Sequence, residues 1–125
     1  MNPEKFSVKS RFRSFLHAFN GLWLLLKSEH NARIHTLTAL TAIAAGIILK
    51  INLTEWCLII FVIGLVFVTE LINTSLEIIA DVVDPEWNTK LRDAKDYSAA
   101  AVLISAVISV FVGGFIFIPR ILQLF

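Results

Sequence analysis

Along residues 7–28 the apolar positions Phe12, Leu16, Phe19, Trp23 and Leu26 recur at steps of four and three. That period puts them on one helical face. Lys9, Arg11, Arg13 and Asn20 fall on other faces. The pattern predicts an amphipathic helix that lies on a membrane surface with its apolar side in the interface. Three longer apolar stretches follow. Residues 32–50 are softened by Thr36, Thr38 and Thr41 and carry the small residues Ala39, Ala42, Ala44, Ala45 and Gly46, which suit close helix packing. A turn is expected near Lys50 and Asn52, with Thr54 placed to cap the next helix and Trp56 in an interfacial aromatic belt. Residues 55–79 are strongly apolar as far as Thr69, then take in Glu70, Asn73 and Glu77 without breaking the helical period. Residues 81–96 are polar, contain Pro85 and Trp87, and read as a loop with a short helical piece. Residues 97–118 form the last stretch, from the small run Ser98-Ala99-Ala100-Ala101 to a stop at Pro119-Arg120. Each stretch approaches the ~20 residues needed to cross hydrocarbon. The expected fold is an all-α membrane protein: one domain over 1–125, with a surface helix and three transmembrane helices.

Composition agrees with that pattern. The chain is 57% hydrophobic and 17% charged, against about 45–50% apolar and roughly 25% charged in soluble domains. No basic stripe is interleaved with exposed aromatics, so no nucleic-acid partner is expected. The N-terminal stretch alternates basic and aromatic positions, so no cleavable signal peptide is expected and the later apolar segments would direct insertion. Cys57, the one cysteine, lies in an apolar run and reads as a small buried hydrophobe. If the N-terminus is cytoplasmic, Lys5, Lys9, Arg11, Arg13, Lys27, Arg33, Lys90, Arg92 and Lys95 all lie inside. Of 11 Lys and Arg, only Lys50 and Arg120 then fall outside, as the positive-inside rule favours.

The informative anomaly is acidic. An ionised carboxylate in a bilayer costs several kcal/mol. Glu70 and Glu77 nevertheless stand seven residues apart, almost two turns, with Asn73 between them and Asp81 extending the stripe. At 3.6 residues per turn they share one face. Such groups can hydrogen-bond helices together, although amides or hydroxyls do so with less desolvation. They can form a cation or proton pathway. They can also build a metal-assisted site at the interface, since Mg²⁺ commonly takes one or two carboxylates plus substrate phosphates. Phosphoryl transfer needs neutralised phosphate charge, an oriented nucleophile and a base. The stripe offers ligands and a base, and Lys95 with the basic residues of the first helix, Arg11 among them, could meet phosphate oxygens. No Walker A or kinase glycine-rich loop is present. Taken alone, Glu29 reads as an ordinary solvated charge, and Lys95 with Asp96 as a surface ion pair worth little. His17, His30 and His35 read as ordinary interfacial residues, because their spacing does not make a compact ligand set.

The run Glu70-Leu71-Ile72-Asn73-Thr74-Ser75-Leu76-Glu77-Ile78-Ile79-Ala80-Asp81 resembles the signature of the bacterial diacylglycerol kinase family, which includes undecaprenol kinases. Ala94-Lys95-Asp96 followed by Ala99-Ala100-Ala101-Val102-Leu103 resembles its second block. Glu29 through Arg33 and Gly21-Leu22 are similar to the family's stretches before the first span. The three blocks occur in order across nearly the whole chain. The resemblance implies a homotrimer of three-span subunits in the bacterial cytoplasmic (inner) membrane, with ATP and Mg²⁺ at the cytoplasmic face. It implies Glu70 as general base on a lipid hydroxyl, and Glu29 and Glu77 as metal ligands. It implies Lys95, Asp96, Arg11 and His17 beside the nucleotide, and Asn73 and Arg33 beside the lipid. His17 stands where diacylglycerol-type members carry tyrosine, and His35 where they carry an acid. The run Asn31-Ala32-Arg33-Ile34-His35 looks more like the undecaprenol branch. The expected reaction is ATP-dependent phosphorylation of a lipid alcohol, diacylglycerol first and undecaprenol second. A small proton-coupled transporter is the competing class.

Overall fold

The computed structural model describes residues 7–83 and 88–125. Pro85 and Trp87 lie outside the described residues. The described chain forms four helices: α1 (Val8–Ser28), α2 (His30–Ile48), α3 (Leu53–Val83) and α4 (Thr89–Leu122). No strand occurs among the described residues.

Local chemistry explains each boundary. The Ser7 side chain accepts from the Ser10 amide and starts α1. Glu29 alone breaks α1 from α2, in an extended conformation, while its N–H donates to the Leu25 carbonyl at 2.8 Å. Arg33 reaches back to the Leu26 and Lys27 carbonyls and satisfies the end of α1. In α2, the hydroxyls of Thr36, Thr38 and Thr41 donate to carbonyls four residues earlier, which explains how three threonines are carried on an apolar helix.

The end of α2 is a Schellman motif. Ile51 N–H donates to Gly46 O at 3.1 Å and Lys50 N–H to Ile47 O at 3.3 Å, with Lys50 left-handed at φ 50°. Asn52 then caps α3. Its Oδ1 accepts from the Glu55 N–H at 2.9 Å, and Glu55 Oε2 accepts from the Asn52 N–H at 2.8 Å. This reciprocal capping box corrects the expectation that Thr54 caps α3: Thr54 already lies in its first turn.

α3 is longer than the apolar stretch 55–79 suggests. At 31 residues it extends about 46 Å, beyond the ~30 Å hydrocarbon core, and so carries Glu70, Asn73, Glu77 and Asp81 on one unbroken rod. α4 starts at Thr89 rather than at 97, because Asn88 caps it by accepting from the Lys90 and Leu91 amides. Of the stretch 81–96 read as mostly loop, residues 89–96 are therefore the polar first turns of α4, and 81–83 end α3. Nor does Pro119 end it: the helix runs on to Leu122.

α3 and α4 pack antiparallel and make the most extensive contact; α2 lies mainly on α3, and α1 touches α2 and α3. A small core of Ile51, Ile59 and Ile116 sits near the α2–α3 turn, with Trp56, Val112 and Phe117 around it. Leu25 and Ala32 are buried where α1 and α2 meet. Phe12, Leu16, Phe19 and Trp23 stay exposed along α1. Cys57 is exposed on α3, which corrects its reading as a buried residue. Among the described residues, two helices, α3 and α4, are long and apolar enough to cross a membrane. α2 falls short of that measure, lowered by Arg33, His35 and its threonines.

Candidate active site

Three polar cross-links join α3 to α4 along the acidic stripe. Thr69 Oγ1 and Ser105 Oγ lie 2.8 Å apart. Ser98 Oγ donates to Asn73 Oδ1 at 2.7 Å. Lys95 Nζ donates to Asp81 Oδ1 at 2.8 Å. Ser98 and Ser105 are seven residues apart on α4, just as Glu70 and Glu77 are on α3. The serines meet Asn73 and Thr69, the residues beside the glutamates on α3, rather than the glutamates themselves.

Glu70 is the most enclosed member, only 2% exposed. Its Oε1 stands 3.1 Å from His35 Nε2 on α2. That contact has the distance of an ion pair without hydrogen-bond geometry, so Oε1 has no hydrogen-bond partner among the described residues. Thr74 Oγ1 is also buried without one. Orphaned polar atoms are rare in folded proteins and call for an explanation.

Farther along α3, Asn73 Nδ2 donates to Glu77 Oε1 at 3.4 Å. Asn73 therefore binds Ser98 with its oxygen and Glu77 with its amide. The Lys95 ammonium is held above the ordinary lysine pKa, chiefly by its hydrogen bond to Asp81, and further by the negative charges of Asp81 and Glu77, against some desolvation. Lys95 thus counts Glu77 as well as Asp81 in its electrostatic surroundings. It pairs with Asp81 rather than with its neighbour Asp96, which is exposed.

The remaining expected residues lie on other elements. Glu29 is half-buried at the α1–α2 break, and Arg33 is engaged with the end of α1. Arg11 and His17 are exposed on α1. Thr69, Ser98, Ser105 and His35 take part in the cluster although the sequence reading did not select them. For the serines, their seven-residue spacing along one face of α4 was the available signal.

The donor set suits a Mg²⁺ ion bound partly through substrate. Among the described residues, no group of three or more His, Cys, Asp and Glu could hold a metal by itself. One or two carboxylates, completed by phosphate oxygens and water, is the pattern Mg²⁺ prefers. Glu77, with Asn73 on one oxygen, provides such a carboxylate; Glu29 is the candidate for a second.

An apolar cleft of about 570 Å³ runs between α2, α3 and α4. Ala42 and Ala45, Val62 and Val66, and Gly113 and Phe117 are among its walls, and His35 lines it as well. The imidazole that borders this cleft is the one that touches Glu70.

The chain matches the family described as prokaryotic diacylglycerol kinase over residues 16–117. It is 34% identical over 110 residues to an undecaprenol kinase of Bacillus subtilis, covering 88% of this chain and 89% of that protein. It is 34% identical over 112 residues to a diacylglycerol kinase of Synechocystis, covering 89% of this chain and 64% of that one. A diacylglycerol kinase of Helicobacter pylori is 30% identical over 112 residues, covering 90% and 88%. With matches of this extent, and with the acidic stripe on a helix apolar enough to enter a bilayer, the chain belongs to the prokaryotic diacylglycerol kinase family, a family of lipid kinases.

Proposed function

We propose that this protein transfers the γ-phosphoryl group of ATP to the hydroxyl of a membrane lipid, with diacylglycerol as the first substrate to be tried. The observation that carries the proposal is the burial of Glu70 on a helix apolar enough to span a bilayer, one side of it bordering an apolar cleft. A lipid hydroxyl resides at the headgroup boundary, where the α3 stripe meets water. The cleft beyond His35 offers an apolar bed for the chain that carries this hydroxyl.

Glu70 then takes the hydroxyl proton as the lipid oxygen attacks the γ-phosphorus in line with the departing ADP. Asn73 and Arg33 steady the lipid and the site. Lys95, Asp96, Arg11 and His17 face the nucleotide, where the cationic Lys95 and Arg11 offset phosphate charge. Glu77 and Glu29 hold Mg²⁺, which when bound neutralises and orients the phosphates. α2 completes a three-span topology with α1 on the cytoplasmic surface. Three such chains form a homotrimer, for which the exposed apolar faces of α3 and α4 leave room.

Undecaprenol is the second substrate. It is favoured by His35 and the run from Asn31, and by the relative named undecaprenol kinase. A proton-coupled transporter loses its support in a family of kinases.

The deciding experiment supplies purified protein with labelled ATP and Mg²⁺ and offers diacylglycerol and undecaprenol side by side in detergent micelles. Label should pass into one lipid phosphate. Glu70→Gln should preserve assembly and lower turnover by about 10²–10⁴-fold; a near-normal rate in that variant would overturn the assignment of the base.

A further inference from the structure

Glu70 is buried, yet among the described residues its one ion-pair contact is with His35. Among the described residues, His35 alone of the basic side chains lies within ion-pair distance of it. On its own helix the next polar groups are Asn73 and Glu77, which bond each other, Thr69, which is committed to Ser105 and to backbone carbonyls, and Thr74, one turn on, whose buried hydroxyl makes no hydrogen bond to Glu70. On α4, Ser98 serves Asn73, and Lys95 serves Asp81. Among the described residues, no hydrogen bond or ion pair from another helix reaches Glu70 except the contact with His35.

His35 is placed by its neighbours. Ala32, one turn before it, is fully buried, so α2 approaches the rest of the molecule closely there. Arg33 anchors the same turn to the end of α1. The imidazole side chain is 22% exposed and borders the apolar cleft. An ionised buried carboxylate needs a donor. A neutral imidazole protonated at Nε2 is such a donor, and it holds the carboxylate without giving up a proton. The present contact is within reach but off-line, as catalytic hydrogen bonds often are before substrate arrives.

We infer that His35 is the positioning residue of Glu70: its Nε2–H holds Oε1, and Oε2 is left to receive the proton of the lipid hydroxyl. The inference rests on the kinase reading above. In the step, the lipid O–H bond breaks and its proton passes to Oε2. A bond forms between that oxygen and the γ-phosphorus, while the bond from the γ-phosphorus to the bridging oxygen of ADP breaks. The proton leaves Glu70 for water when the products depart. His35 touches Glu70 and not the reacting atoms, so it acts through orientation.

The test compares His35→Leu, His35→Gln and His35→Asn in the full-length protein. Turnover and KM are measured for ATP and for both lipids, beside unfolding temperature. A glutamine amide nitrogen reaches about as far as Nε2; an asparagine amide stops short of it. Removing the donor should lower kcat by roughly 100-fold, the scale of a 1 Å misplacement, with the KM values for ATP and lipid nearly unchanged. Glutamine should recover most of the rate, and asparagine little. In a Glu70→Gln background, His35→Leu should add no further loss. Wild-type turnover in His35→Leu, a loss carried entirely by KM, or equal rates in the Gln and Asn variants would overturn the inference. If His35→Leu fails to fold, the Gln and Asn pair still decides. Wild-type protein that phosphorylates neither lipid would instead overturn the kinase reading itself.

Discussion

Ser98 on α4 donates its hydroxyl to the Asn73 side-chain oxygen on α3 at 2.7 Å, and so turns the Asn73 amide toward Glu77. The serine hydroxyl, 7% exposed as a residue, determines which end of the asparagine faces the metal-ligand candidate. Ser98→Ala removes that preference. Hydrogen bonds between membrane helices contribute about 0.6 kcal/mol on average, so unfolding should change little. The Mg²⁺ concentration for half-maximal turnover should rise several-fold, because Glu77 loses a fixed neighbour. Metal titration beside thermal unfolding checks this; an unchanged Mg²⁺ requirement would remove Asn73 from the arrangement.

Arg120 organises the opposite end of the molecule. It pairs with Glu55 at the start of α3 and donates to the Leu49 and Lys50 carbonyls at the end of α2. One guanidinium therefore ties together three helix ends far from the acidic stripe. Arg120→Ala should lower the unfolding temperature while turnover at low temperature stays near normal. Glu55 also closes the capping box with Asn52, so Glu55→Gln and Arg120→Ala should combine less than additively in a double-mutant cycle. Full additivity would show that the pair is not coupled.

Two glycines should respond in opposite ways. A Cβ on Gly46 would lie 2.8 Å from Trp56 Cη2 and 3.0 Å from Ile51 Cδ1, at the core beside the α2–α3 turn. Gly46→Ala must move the indole, and overpacking of this kind costs about 1–3 kcal/mol. A Cβ on Gly64 would meet nothing within 4 Å. Gly64→Ala should be neutral or stabilising by up to about 1 kcal/mol through reduced backbone freedom. Unfolding temperatures of the two variants in the same detergent measure the contrast.

The rods were legible in the sequence, but their mutual placement was not. The period of Phe12, Leu16, Phe19 and Trp23 marked α1, and the unbroken period through Glu70 and Glu77 marked α3 past the apolar limit. The start of α4 was hidden because Lys90, Arg92, Asp93, Lys95 and Asp96 make its first turns look like loop. Only the Asn88 cap reveals the helix. The capping box at Asn52 and Glu55 was written in plain spacing, yet Thr54 is an equally good cap by residue type. His35 could not be read as a neighbour of Glu70 at all. Its sequence position reports depth but not the rotation of α2, which is set by the burial of Ala32 and the reach of Arg33 to α1.

The ion pair of Lys95 and Asp81 should be silent in the neutral range. The lysine value is raised above its ordinary 10.5, mainly by the Asp81 hydrogen bond. A raised value means that the stabilisation is fully present below pH 10.5 and is lost only as pH climbs through the higher folded value. The difference in unfolding temperature between wild type and Asp81→Asn should therefore be constant at neutral and mildly alkaline pH, then close above 10.5. A difference that varies near neutrality would assign the contact to another titrating group.

Glu77→Gln separates metal binding from helix packing. The amide keeps the shape of the side chain and an oxygen that can still accept from Asn73 Nδ2. It removes the negative charge that a hard divalent cation seeks. It also removes one of the charges that hold Lys95 protonated, leaving its bond to Asp81 in place. Unfolding should thus be nearly unchanged, while the Mg²⁺ requirement rises by about 10-fold or more, the scale seen when metal sites lose supporting groups. Excess Mg²⁺ should restore part of the turnover in Glu77→Gln but none in Glu70→Gln, whose defect is proton transfer. Glu29→Gln should follow Glu77→Gln. If Mg²⁺ rescues neither carboxylate variant, or rescues all three equally, the division of the acidic residues into ligands and base is wrong.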